Sequence, residues 1–119
     1  MKVLFVAGPH GALPNGYDEL HGVEQNVLNA SRVALECWKK GWAVICPHLN
    51  TRYFYRVPGL HDELEKGAIE LVRRCDAILM MDGWQNSPGA MKEHAEASLR
   101  GKKVFFYNRH GIPLPGDVP

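Results

Sequence analysis

Residues 76–100 read DAILMMDGWQNSPGAMKEHAEASLR, and the architecture follows from them. Ala77-Ile78-Leu79-Met80-Met81 is a continuous apolar run without polar alternation, the pattern of a strand buried on both faces. It breaks at Asp82-Gly83-Trp84. Ser87-Pro88 then opens a helix, with Ser at the N-cap and Pro at the first helical position. The helix runs to about Arg100 and stops at Gly101. A buried strand that feeds directly into a helix is half of a βαβ crossover and predicts a parallel sheet.

The pattern repeats on either side. Val3-Leu4-Phe5-Val6 is a second such run, ended by Gly8-Pro9-His10-Gly11, and residues 12–21 read as a loop. Helical spacing holds from about Val23 to Lys40, with Val23, Val27, Ala30 and Ala34 on one stripe and Val33 and Trp38 beside it. Gly41 stops that helix. Trp42-Ala43-Val44-Ile45-Cys46 is the next strand, cut by Pro47. His48 to Gly59 has no clear period and reads as a long loop or broken helix. Leu60, Leu64, Ala68, Leu71 and Val72 carry a helix over 60–74. Val104-Phe105-Phe106-Tyr107 is the last strand, and residues 108–119 are too rich in Pro and Gly for a helix or central strand. The order βαβαβαβ predicts a single α/β domain over 1–119, a parallel sheet of four or five strands with helices on both faces.

Composition narrows the function classes. The chain has 119 residues, 45% hydrophobic and 23% charged, with a net charge of +1, which gives no electrostatic footprint for a nucleic acid polymer or an anionic membrane. No apolar run approaches the ~20 residues of a membrane span, and the start lacks the long apolar stretch of a signal peptide. A cytoplasmic location is expected. Cys37, Cys46 and Cys75 lack CxxC spacing and read as buried small hydrophobes, not as disulfides or a zinc site. The six histidines form no HExxH pair, so no metal and no cofactor is expected.

In a doubly wound sheet, ligands sit at the carboxyl ends of the strands. Three loops converge there: Gly8–Gly11, the stretch from Pro47, and Asp82–Ser87. They supply the candidate contacts Gly8, Pro9, His10, His48, Trp84, Ser87 and Gly89. The first turn matches neither GxGxxG nor GxxxxGK[ST], so it is either a close-approach site for a ligand or a plain strand-ending turn. Ser87 is either a phosphate contact at a helix N-terminus or a simple cap. Asp82 is a candidate general acid or base, or a loop-forming Asp. Glu93 sits at the edge of the charged arc beside Ala90 and Ala97; periodicity permits it to face a cleft but equally a solvated surface.

Taken together, Val6-Ala7-Gly8-Pro9, Asn26-Val27, Gly41-Trp42-Ala43-Val44-Ile45-Cys46-Pro47-His48, Cys75-Asp76-Ala77-Ile78 and Gly83-Trp84-x-x-Ser87-x-Gly89-Ala90-x-x-Glu93 resemble the DUF4406 family, within the nucleoside 2-deoxyribosyltransferase-like superfamily. The resemblance spans the chain to about Tyr107. It implies a flavodoxin-like (Rossmann-like) three-layer α/β/α sheet and a small-molecule nucleoside or nucleotide ligand. Active relatives cleave the N-glycosidic bond of 2-deoxyribonucleosides or their 5′-monophosphates, and Glu93 falls on their nucleophilic glutamate. Ser87 matches the serine that contacts the 5′-phosphate. Asp82 stands where the family usually has Pro, as a possible replacement acid. Tyr17, or Tyr53 to Tyr55, would supply an aromatic that relatives place near the first strand. The resemblance also implies a homodimer or higher homo-oligomer. One position departs: relatives carry Asp eight residues ahead of Asp76, where this chain has Ala68. Ala68 favours a non-catalytic module that binds or senses a nucleotide, whereas Ser87 and Glu93 favour an enzyme. A third expectation is an interaction protein that docks through Trp84, Trp42 and the Pro-rich tail.

Overall fold

The structure, a computed structural model, describes residues 1–10, 19–54 and 57–119; side chains at 19–21 are also outside the described set. Gly11, Tyr17 and Tyr55, and all but the end of the loop expected over 12–21, therefore lie outside the described residues.

Four parallel strands form one sheet in the order β2–β1–β3–β4: β1 Val3–Ala7, β2 Ala43–Ile45, β3 Ala77–Met80 and β4 Lys103–Phe106. The register pairs Phe5 with Ile45 on one side and with Ile78 on the other. β1 and β3 are therefore the inner strands, and nearly all of their side chains are buried, which is why their sequences do not alternate. The strand order reverses between β1 and β3, so their carboxyl ends border the crevice that such sheets leave open. Asp76 ties the opposite edge, its Oδ2 accepting the Val3 N–H at 2.7 Å.

Helix α1 (Glu19–Lys39) covers one face, where Ala30, Ala34 and Cys37 meet Leu4, Val6, Leu79 and Phe105. Helices α3 (His61–Arg74) and α4 (Pro88–Leu99) cover the other, where Val72, Cys75, Ala90 and Ala97 meet Phe5, Ala7, Ile78 and Met80. All three cysteines are buried free thiols. Among the described residues, no helix is long and apolar enough to cross a membrane.

The structure departs from the sequence reading in several places. Helix α1 begins at Glu19, inside the loop expected over 12–21, and Tyr107, expected to end the last strand, lies beyond β4. The stretch after β2 contains a one-turn helix, α2 (Pro47–Asn50), too short to show a period. Trp38, expected beside the apolar stripe of α1, is half exposed. Residues 108–119 are more ordered than expected: helix α5 (Tyr107–His110) and a 3₁₀ turn at Pro115–Asp117 carry the chain back over the α1 face. Ile112 and Val118 pack on that core, Trp42 Nε1 donates to Pro113 O at 2.8 Å, and Lys2 Nζ donates to Val118 O at 2.7 Å. Trp42 is thus fully buried, which removes it as a docking residue.

Candidate functional site

The site is built on the turn after β1. Gly8 is buried, and a Cβ added there would lie 2.9 Å from Met81 Cβ, so only glycine lets the β1 and β3 ends close on each other. Pro9 closes the next contact, its Cγ 3.2 Å from where a Cβ on Gly83 would stand. Gly83 has φ +84°, which gives a second reason for glycine. Gly8→Ala is therefore expected to force the two loops apart and destabilise the protein by about 1–3 kcal/mol, read as the shift of a urea midpoint. An unchanged midpoint would mean that the turn is not close-packed.

Two side chains hold the carbonyls of this turn. His48 Nε2 lies 2.7 Å from Pro9 O, and Asn26 Nδ2 donates to His10 O at 3.4 Å. His48 is only 2% exposed, its Nδ1 lies 3.8 Å from Cys46 Sγ, and the His10 ring meets it edge-on at 5.1 Å. Burial drives the His48 pKa down to about 4, against the pull of the Pro9 backbone and with help from His10. Burial lowers the His10 pKa as well.

Glu93 approaches this edge from the second turn of α4. It is partly exposed as a residue, but its carboxyl is crowded by protein. Burial, with repulsion from Glu65 on α3, lifts it to about 8. Cys46, at the end of β2, feels the same carboxylate: burial raises its thiol to about 11 and the Glu93 charge adds to the rise. Glu93 is therefore within electrostatic range of Glu65 on α3 and of Cys46 at the end of β2. Glu65 is itself paired with Lys92, with His61 Nε2 at 3.4 Å, and these partners hold its carboxyl below the usual range.

Ser87 caps α4, its Oγ accepting the Ala90 N–H at 3.3 Å, and Gly89 is exposed in the first turn. Trp84 lies in the 3₁₀ turn Trp84–Asn86, its ring stacked on His94 at 4.5 Å and 6.0 Å from Phe106. Asp82 is exposed between Met81 and Gly83. The structure thus brings Gly8, Pro9, His10 and His48 into one contact group, with Gly83 and Met81 against it. Asp82, Trp84, Ser87 and Gly89 follow along the β3–α4 connection. Among the described residues, two surface pockets lie elsewhere. One of about 350 Å³ between α3 and α4 is lined by Asp62, Glu65, Lys66, Ile69, Arg73 and Lys92. The other, about 260 Å³, lies between α1 and the α2 region. Glu65 and its partner Lys92 connect the first to the surroundings of Glu93. Among the described residues, no three His, Cys, Asp or Glu side chains gather as a metal set.

The family described as a domain of unknown function, DUF4406, matches over residues 2–106. The chain belongs to that family. No curated protein matches it. Solved structures share the fold. A 2-deoxyribosyltransferase from Bacillus psychrosaccharolyticus aligns at TM-score 0.58 and 18% identity, over 87% of this chain and 70% of that one. A 2-deoxyribosyltransferase from Leishmania mexicana aligns at TM-score 0.57 and 16% identity, over 99% and 77%. The CMP N-glycosidase of Clostridium botulinum aligns at TM-score 0.52 and 25% identity, over 88% and 70%. The architecture of this DUF4406 protein is therefore the 2-deoxyribosyltransferase α/β fold. Within it, the sequence reading passed over Asn26 as a site residue, although a buried-side Asn between Gly22 and Ala30 on a helix is a signal of a polar duty.

Proposed function

We propose that this protein binds a nucleoside or nucleotide and breaks or transfers its N-glycosidic bond through Glu93. The observation that supports the reading best is the Glu93 carboxyl itself, crowded by protein, pushed up by burial and within electrostatic range of Cys46 at the end of β2. Proteins of the same fold include 2-deoxyribosyltransferases and a CMP N-glycosidase. In the proposed reaction a Glu93 oxygen attacks the anomeric carbon as the C–N bond breaks. The bond's electron pair leaves with the base, which takes up a proton, and a second base or water then attacks the glycosyl ester. Ser87 and the N–H groups opening α4 would hold a 5′-phosphate. Gly8, Pro9 and His10 would border the sugar, with Trp84 beside the base. Asp82 is the second carboxyl in the proposal.

A carboxyl lifted to about 8 is largely protonated at neutral pH and must lose its proton before it can attack. Activity through a Glu93 nucleophile should therefore rise toward pH 8; a Glu93 proton donor would give the opposite slope. The test is free-base release, by chromatography, from a panel of nucleosides and deoxynucleoside 5′-monophosphates. Glu93→Ala and Asp82→Asn are run beside the parent. Release by the parent and none by Glu93→Ala supports the proposal. No release from a folded protein that still binds a nucleotide sinks it.

That second outcome would favour the binding-module reading, which one observation supports. Ala68, where the resemblance expects Asp, packs partly buried against the α3–α4 core and offers no polar group.

A further inference from the structure

We propose that His48 is a positioning residue: held as the neutral Nε2–H tautomer, it sets the Gly8–His10 turn through the Pro9 carbonyl without touching the ligand. Among the described residues it is the one polar or charged side chain classed with the core, and a buried imidazole is tolerated only when its nitrogens are satisfied. Both are engaged. A carbonyl only accepts, so the 2.7 Å contact to Pro9 O requires the proton on Nε2. That leaves the Nδ1 lone pair facing the Cys46 thiol at 3.8 Å. The ring is thus fixed in tautomer and orientation by partners from two strand ends.

The turn gains its shape from that contact. Pro9 has no N–H to anchor it and a fixed φ, so its carbonyl is the handle by which its orientation is set. His48 holds that carbonyl from the β2 side, and Asn26 holds the next one from α1. Met81 and Gly83 close the β3 side. Among these supports only His48 combines near-complete burial with a short hydrogen bond. It is presented by α2, whose start at Pro47 and Thr51 cap, with Thr51 Oγ1 donating to Pro47 O at 2.9 Å, aim it across β1. As far as the turn serves a nucleotide, the inference rests on the function proposed above; its geometric content does not.

The experiment uses the full ¹⁵N-labelled chain without ligand, so failure of the nucleotide reading leaves it decisive. His48→Phe keeps a ring but removes the donor; His48→Gln restores an N–H donor. In the parent, the imidazole spectrum should show a protonated, slowly exchanging Nε2. In His48→Phe, the Gly8 and His10 amides should shift together with those of Met81 and Gly83 and exchange about tenfold faster, the scale of one net hydrogen bond. His48→Gln should return them toward the parent. A role in stability alone would lower the melting temperature of both variants and leave these four amides with parent-like shifts, which would overturn the proposal. An unprotonated Nε2 in the parent would overturn it as well. If His48→Phe does not fold, the parent imidazole and the His48→Gln amides decide the matter by themselves.

Discussion

Glu93→Gln is expected to make the protein more stable at pH 8, by about 3 kcal/mol, while abolishing base release. The sign follows from the raised pKa. Between the ordinary value of 4.5 and the folded value of about 8, the folded chain holds a proton on Glu93 that the unfolded chain has lost. The contribution of this carboxyl to stability is therefore complete below pH 4.5 and drains away as pH rises through 8. The full shift would correspond to nearly 5 kcal/mol at about 1.4 kcal/mol per unit, and partial solvent access reduces it. Glutamine matches the protonated acid in shape and does not titrate. The variant should equal the parent near pH 4.5 and pull ahead steadily above it, by about 10 °C in melting temperature at pH 8.

His48 acts in the opposite direction. Its lowered pKa makes its contribution complete above 6.5 and lost as pH falls toward about 4. The parent should thus weaken on both sides of mild acidity, while the difference between parent and Glu93→Gln cancels the histidine and isolates the carboxyl. Urea unfolding at pH 5, 6.5 and 8 reads it. A carboxylate kept where it weakens the fold is the mark of a group retained for chemistry. A variant no more stable than the parent at pH 8 would remove that argument for Glu93.

How much of this was legible differs by element, for physical reasons. β1 and β3 could be read because inner parallel strands are uninterrupted apolar runs, and the start of α4 because Ser87-Pro88 is a local cap signal. Helix α2 was not, since one turn has no measurable period. Glu93 was ambiguous because alanines flank it on the wheel of a weakly amphipathic helix, and the groups that act on it or feel its charge, Glu65 and Cys46, are distant in sequence. The supports of the turn were hidden for the same reason. His48 and Asn26 are candidates of no particular kind until their partners, 39 and 16 residues away, are known. Trp42 looked like strand or docking surface because its partner Pro113 lies 71 residues on.

That last contact carries the second large effect. Trp42→Ala is expected to cost about 4 kcal/mol, the range for emptying a fully buried aromatic site. It also strands the Pro113 carbonyl, whose donor at 2.8 Å is the indole N–H. Against a total stability on the order of 5–15 kcal/mol for a small domain, that loss is between roughly a quarter and four-fifths of the whole. Trp42→Phe separates the two contributions. It preserves much of the edge contact that Trp42 makes with Phe105 at 6.5 Å, removes the hydrogen bond and leaves a smaller cavity than alanine does, so it should cost about 1–3 kcal/mol. Its characteristic effect should fall on the tail. With Pro113 released, Ile112 and Val118 lose their anchor on the α1 core, and residues 108–119 should become the first site of limited proteolysis. Tail cleavage no faster in Trp42→Phe than in the parent would show that Lys2 and the apolar contacts hold the strap alone, and that the indole serves the core only.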